Sequence, residues 1–206
     1  MIFQARQRIV FIGDSITDAG RREVDPPYGT GYMSLVRALV TARHPHLGLE
    51  WFNRGISGNT VRDLAARWEA DVVALRPDWL TVMIGINDVW RFLAGNGPEA
   101  VPLEEFERIY RRLLKRAVDA AGCRLILADP YVVEADPAEP HRAISDLYGR
   151  VVEKLAGEFG ALHVRTQEAF DRVLASTSPA EWSHDRIHLD LPGHAVLAQA
   201  YLDQVR

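Results

Sequence analysis

The hydrophobic positions of this chain follow two patterns that alternate from one end to the other. Short runs of apolar residues have the composition of parallel strands, which are covered on both faces. Longer segments, in which apolar residues recur at helical spacing, separate these runs. Four of the five runs are nearly continuous in apolar residues, and the second is more mixed. The runs are residues 7–12, 49–53, 79–84, 124–128 and 161–165.

Three of the longer segments carry a clear apolar stripe. The first stripe begins at Thr60 and Asp63, which have the spacing of a capping box. The second ends just before Gly122, a residue typical of the position after a helix. A further helix is expected to begin near Pro192, because proline suits the first turn. The stripes comprise Val61, Leu64, Ala65, Trp68, Val72 and Leu75; Phe106, Ile109, Tyr110, Leu113, Ala117 and Val118; and Ile144, Leu147, Tyr148, Val151 and Leu155.

The alternation of strands and helices predicts a parallel sheet between two helical layers. Five strands in 206 residues indicate a flavodoxin-like, three-layer α/β/α sandwich with a five-stranded parallel sheet. The chain shows no internal repeat and no low-complexity tract. Its notable loops, residues 21–30, 95–102 and the acidic 130–140, are too short to form separate domains. We therefore expect residues 1–206 to form a single domain.

Composition narrows the class of partner. The net charge is −4, and no basic surplus indicates a nucleic-acid partner. The one cysteine, Cys123, lies in an apolar run, which favours a buried structural thiol over a nucleophile. No apolar stretch is long enough to span a bilayer, and the first residues do not resemble a signal peptide. We expect a cytoplasmic protein that needs neither membrane nor nucleic acid.

Polar residues that could carry out chemistry follow the predicted strands. Ser15 ends the sequence Gly-Asp-Ser directly after the first strand, at the edge where open parallel sheets bind their ligands. A serine hydroxyl needs a base and an orienting acid before it can act as a nucleophile. His188 can exchange protons near neutral pH, and Asp185, three residues earlier, can orient its ring. The alternatives are a helix N-cap for Ser15 and surface or turn roles for the other two.

Two further residues at strand ends could stabilise a developing oxyanion. A glycine in the loop after the second strand lets a backbone N–H approach a substrate closely, and Gly55 and Gly58 both qualify. Asn87, after the third strand, offers a side-chain N–H. A turn role for each residue is the alternative.

These residues together resemble a known family. The Gly-Asp-Ser sequence ending at Ser15, then Gly58, Asn87 and the Asp185-x-x-His188 pair, is similar to the four sequence blocks of the SGNH (GDSL-type) hydrolases. The resemblance implies a serine esterase in which Ser15 is the nucleophile, His188 the base and Asp185 the acid. It implies an oxyanion hole formed by the Ser15 N–H, the Gly58 N–H and the Asn87 side chain, with no cofactor. Gly58 is preferred to Gly55 because the family glycine precedes a small polar pair.

The resemblance extends to one branch of that family. Residues 29–32, 53–64 and 84–90 are similar to the branch that contains xylan and other carbohydrate acetylesterases. This branch implies short-chain acyl substrates, above all acetyl esters of xylo-oligosaccharides. A broad carboxylesterase or thioesterase without sugar specificity is one alternative. A non-catalytic flavodoxin-like module that binds FMN or a phosphate at the same edge is another.

Aromatic and histidine side chains near these blocks leave further alternatives. Trp90 and Trp182 lie beside Asn87 and the Asp-x-x-His pair, where a sugar ring could pack on an aromatic face; packing that supports the loops is the alternative. His184, His188 and His194 could bind a metal, but Ser15 would then have no role, and we predict no metal. The sequence does not decide between a monomer and a homo-oligomer.

Overall fold

All five strand-like runs form strands, and these pair in parallel within one sheet. The computed structural model describes residues 1–95 and 97–206. The strand ends differ from the predicted ends by at most two residues. The strands are β1 (Arg8–Gly13), β2 (Glu50–Gly55), β3 (Trp79–Met83), β4 (Arg124–Ala128) and β5 (Leu162–Val164).

Eight α-helices lie in the described part of the chain: α1 (Ser15–Asp18), α2 (Tyr32–Arg43), α3 (Val61–Asp71), α4 (Ile86–Leu93), α5 (Leu103–Ala121), α6 (Pro140–Phe159), α7 (Thr166–Leu174) and α8 (Leu191–Val205). The predicted stripes form α3, α5 and α6, and the helix expected near Pro192 is α8. The sequence analysis did not predict α2, α4 or α7. Asn96, in the predicted loop 95–102, lies outside the described residues.

Local signals set the helix ends as the sequence indicated. Thr60 caps α3, and its backbone N–H donates to the carboxylate of Asp63 at 2.8 Å in a complete capping box. Gly122 ends α5 with φ +65°, a left-handed conformation that favours glycine. The first stripe is shorter as a helix than predicted, because the chain leaves the α conformation at Val72 and residues 73–75 form a separate 3-10 turn.

The strand order is β2-β1-β3-β4-β5, the flavodoxin-like order of a doubly wound sheet. The predicted fold class is therefore confirmed. Sheets of this kind bind ligands beyond the carboxyl ends of the strands, where the order of the strands reverses. That point lies between β1 and β3, and the loops after β1, β2 and β3 begin there side by side.

The two faces of the sheet are buried by different helices. Along β3, Trp79 and Met83 pack into one hydrophobic cluster, and Leu80 and Val82 pack into the other. Helices α2, α7 and α8 cover the first face, and α3, α5 and α6 cover the second. This alternation explains the continuous apolar runs, because both faces of each central strand are buried. None of the helices in the described residues is both long and apolar enough to cross a membrane.

The predictions of burial are confirmed. Trp51 and Trp79 lie in the first hydrophobic cluster and Trp68 in the second. Cys123 is buried just before β4, and this burial raises the pKa of its thiol to about 11. A thiol that holds its proton in this way is a poor nucleophile, which agrees with a structural role.

Candidate active site

Ser15 is the first residue of the short helix α1, directly beyond the carboxyl end of β1. The N-cap of this helix is Asp14, whose carboxylate accepts a hydrogen bond from the Ile16 N–H at 3.0 Å. The alternative interpretation of Ser15 as the cap is therefore wrong. The Ser15 hydroxyl is free to face the C-terminal part of the chain, where its Oγ lies 3.0 Å from Nε2 of His188.

The loop before α8 holds His188 and Asp185 together. Nδ1 of His188 lies 2.6 Å from Oδ2 of Asp185. The other carboxylate oxygen, Oδ1, accepts the backbone N–H groups of Ile187 at 2.9 Å and His188 at 2.7 Å. Partial burial acts to raise the pKa of Asp185, but the His188 ring and these two N–H groups outweigh it and hold the pKa well below its ordinary range.

This arrangement fixes the tautomer of the imidazole. An ionised carboxylate can only accept a hydrogen bond, so Nδ1 of His188 carries a proton toward Asp185. In the neutral ring Nε2 is then an acceptor that points at the hydroxyl of Ser15. A serine, a histidine and an aspartate joined in this order can deprotonate the hydroxyl as it attacks.

The loop after β2 presents a backbone N–H near the same edge. Residues 56–59 form a turn closed by a hydrogen bond from the Asn59 N–H to the Ile56 carbonyl at 3.3 Å. Gly58 occupies the third position with φ +79°, as a type II turn requires. Among the described residues the Gly58 N–H has no hydrogen-bond partner. This donor is available to a ligand.

The two candidate glycines have different environments. A Cβ built on Gly55 would lie 2.2 Å from the backbone nitrogen of Asp18, so Gly55 allows β2 to pack against α1. A Cβ on Gly58 would meet no atom within 4 Å. Gly58 faces open space, which supports its choice over Gly55.

Asn87 and Arg91, one turn apart on α4, connect this helix to the Gly58 turn. The side-chain nitrogen of Asn87 donates to the Asn59 carbonyl at 3.0 Å, and Arg91 donates to the Gly58 carbonyl at 3.0 Å. An amide nitrogen carries two N–H groups, so Asn87 keeps a second one after this bond. Two hydrogen bonds thus join the loop after β2 to α4, the helix that follows β3.

Two buried carboxyl groups lie beneath this edge. Asp14 and Asp88 are 1% and 0% exposed. Burial raises the pKa of each to about 7, although backbone N–H groups of Ile16 and Val61 donate to them and act to lower it. These groups hold protons far above the pH at which a solvated aspartate loses them.

These raised pKa values predict a pH dependence of stability. The pKa of such an aspartate is 3.8 when solvated and about 7 in the native state. Between these two pH values the folded protein therefore binds more protons than the unfolded protein. The free energy of unfolding should therefore decrease as pH rises from about 4 to 7, by up to about 1.4 kcal/mol per pH unit and group. Asp88→Asn, which keeps the oxygen that accepts from Val61, should reduce this slope in urea unfolding at several pH values. Parallel curves for both proteins would contradict the assignment.

The other candidate residues, Trp90, Trp182 and His194, differ in their surroundings. Trp90 is 57% exposed on α4. Trp182 is partly buried against the first hydrophobic cluster, and its indole N–H donates to Thr177 at 2.8 Å. The ring of His194 accepts the Tyr32 N–H at 3.2 Å, and burial lowers its pKa to about 4. Among residues 1–95 and 97–206, no three His, Cys, Asp or Glu side chains are placed to hold a metal ion.

A parallel α/β sheet that carries a linked serine, histidine and aspartate at its carboxyl edge is typical of hydrolases that cleave esters through a serine. The model of the GDSL-like lipase/acylhydrolase family matches residues 11–196. The chain belongs to this family, and the predicted resemblance is confirmed. Its enzyme class is carboxylic ester hydrolase, which excludes the alternative of a non-catalytic binding module.

Relatives within the family are similar along nearly the whole chain. An acetylxylan esterase of Geobacillus stearothermophilus is 44% identical over 97% of this chain and 94% of its own. A crystal structure of a catalytic serine-to-alanine mutant of that organism's acetylxylan esterase superposes with a TM-score of 0.95 at 42% identity, over 100% of this chain and 96% of the other. An α/β hydrolase from the metagenome of Lake Arreo has a TM-score of 0.94 at 42% identity, over 99% and 97%.

Proposed function

We propose that this enzyme removes acetyl groups from xylo-oligosaccharides, with Ser15 as nucleophile, His188 as base and Asp185 as orienting acid. The observation that carries the proposal is the hydrogen-bonded chain from Ser15 through the imidazole to Asp185, with distances of 3.0 and 2.6 Å. The acetylxylan esterase that is 44% identical over 97% of this chain supports the choice of ester.

The first half of the reaction transfers the acetyl group to the enzyme. His188 takes the hydroxyl proton of Ser15 through Nε2 as Oγ attacks the carbonyl carbon of the ester. The positive ring is stabilised by the carboxylate of Asp185, which stays ionised because its pKa is low. When the tetrahedral intermediate collapses, His188 gives the proton to the departing sugar oxygen and the acetyl group remains on Ser15.

The second half regenerates the enzyme by the same route. His188 accepts a proton from water as the water oxygen attacks the acetyl carbon. The new intermediate collapses, the proton passes to Oγ of Ser15, and acetate departs.

Three donors at the sheet edge are proposed to stabilise the oxyanion in both halves. They are the N–H of Ser15, the N–H of Gly58 and the second side-chain N–H of Asn87. The unpaired Gly58 N–H and the two hydrogen bonds from α4 to the turn at residues 56–59 support this assignment. Donors held before the reaction cost no reorganisation as charge develops.

Trp90 is proposed as the sugar platform. Asn87 and Arg91 show which face of α4 lies against the Gly58 turn, and Trp90 stands next to that face with more than half of its surface exposed. Trp182 is proposed as a weaker contact, since only part of its side chain is exposed and its N–H is already paired. A sugar that packs on Trp90 would bring its ester toward the donors.

A single domain over residues 1–206 and a cytoplasmic location are also part of the proposal. Both hydrophobic clusters pack on the same sheet, which supports one folding unit. The buried free thiol of Cys123 is compatible with a reducing compartment. Fractionation of the source cells tests the location, and esterase recovered outside the cytoplasm would contradict it.

A substrate comparison tests the proposed function. We expect acetate release from acetylated xylo-oligosaccharides, rapid cleavage of nitrophenyl acetate, and poor cleavage of long-chain nitrophenyl esters. Trp90→Ala should raise KM for the oligosaccharide while leaving cleavage of nitrophenyl acetate intact, because the small ester has no sugar to pack on the ring. Leu39→Ala, which removes an exposed apolar side chain from α2, is the control. Equal rates on all acyl chains, or no acetate from the oligosaccharide, would favour a broad esterase instead.

A further inference from the structure

The catalytic loop contains a residue in an unfavourable backbone conformation. Arg186 lies between the two residues proposed as acid and base, and its φ is +69°. This left-handed conformation brings Cβ close to the following carbonyl, so residues other than glycine adopt it only where their surroundings hold them there. The conformation turns the chain back, so that one oxygen of Asp185 can accept the N–H groups of Ile187 and His188.

The segment after β4 supplies the contacts that hold Arg186. The guanidinium of Arg186 lies 2.9 Å from the carboxylate of Glu134 and 3.6 Å from that of Glu139. The Val133 N–H donates to the Arg186 carbonyl at 2.9 Å. The Tyr131 hydroxyl donates to the Ile187 carbonyl at 2.9 Å. Arg186 and the residue that follows it are therefore both tied to this acidic segment.

The backbone of Glu134 is itself held in place by a buried arginine. Its carbonyl accepts a hydrogen bond from the guanidinium of Arg142 at 2.8 Å. Arg142 is buried in α6 and is held by the carboxylates of Asp146 and Asp171, each at 2.8 Å. The Asp136 N–H and the Arg186 guanidinium hold the pKa of Glu134 below its ordinary range, so its charge persists in mildly acidic solution.

We propose that Glu134 and Arg186 are positioning residues that set the orientation of His188 toward Ser15. Neither touches the nucleophile or the imidazole, and their ion pair keeps the loop in the conformation that orients Asp185. The proposal rests on the proposed roles of Ser15, Asp185 and His188. When the base is misplaced by a fraction of an ångström, the chemical steps become slower, while the binding of substrate is unaffected.

Glu134→Gln tests this inference, because it removes the charge and leaves the backbone contacts in place. We expect kcat to fall roughly ten-fold with KM unchanged. The loss in kcat/KM, which reports transfer of the acetyl group to the enzyme, should be larger for acetylated xylo-oligosaccharide than for nitrophenyl acetate, since a sugar alkoxide needs the proton from His188 more than nitrophenolate does. In Arg186→Gly the glycine tolerates the positive φ but carries no charge, so kcat should fall by a similar factor. Arg186→Lys should retain most of the activity. The double variant should lose no more than either single variant.

The matched control is Glu107→Gln. Its carboxylate is also ion-paired, here with Arg111 and Lys154, and its side-chain exposure is 22% against 20% for Glu134. This variant should keep the wild-type kcat. A Glu134→Gln enzyme with unchanged kcat, with a raised KM alone, or with equal losses in kcat/KM on both esters would overturn the positioning role. His188→Ala in the same assay separates the two proposals, because activity that survives it overturns the proposed function itself.

Discussion

Ser15→Ala should abolish ester hydrolysis, with a loss of roughly 10⁶-fold in kcat. The hydroxyl is the group proposed to attack the ester, and its contact in the structure is with Nε2 of His188. Alanine suits the first turn of a helix, and the cap is Asp14, so the fold should not depend on the hydroxyl. We expect the free energy of unfolding to change by less than about 0.5 kcal/mol. Acetate release and urea unfolding measure the two quantities.

The control for this variant is Ser34→Ala. Ser34 also lies in the first turn of a helix, α2, and is partly exposed. It should keep full activity. A fluorophosphonate should label the wild type and Ser34→Ala but not Ser15→Ala. Hydrolysis by Ser15→Ala within ten-fold of the wild-type rate would show that another residue is the nucleophile.

Asp185→Asn should lower kcat by about 10⁴-fold and leave the loop folded. The amide oxygen can still accept the N–H groups of Ile187 and His188, which places the new NH₂ group toward Nδ1 of the ring. An NH₂ group donates, so Nδ1 becomes the acceptor and Nε2 carries the proton. The imidazole then presents a proton to Ser15 and cannot accept one. Initial rates over a range of pH measure the loss.

The control for this variant is Asp190→Asn. It removes the same charge five residues further along the chain, at the start of α8, where the side chain makes no capping hydrogen bond. A loss confined to Asp185→Asn would show that the effect is local and does not follow from net charge. Similar activities of the two variants would contradict the role proposed for Asp185.

The sequence by itself determined the fold class and the order of the candidate residues along the chain. Continuous apolar runs occur because parallel strands are buried on both faces, and all five runs form strands. The same reasoning missed α4, which is short and carries exposed apolar residues such as Trp90 and Phe92. Ile86, Val89, Trp90 and Leu93 do recur at helical spacing, but eight residues are too few for this period to identify a helix by itself.

Only the tertiary structure decided which of these residues meet. Ser15 and His188 are 173 positions apart, and no local pattern encodes the 3.0 Å between them. The structure also distinguished the role of Gly55 from that of Gly58. Gly55 packs closely against α1, and this contact depends on the position of another segment of the chain. The role inferred for Glu134 has no signal in the sequence at all. A local hydrophobic period specifies an element, whereas a site arises from contacts between elements that are distant in the chain.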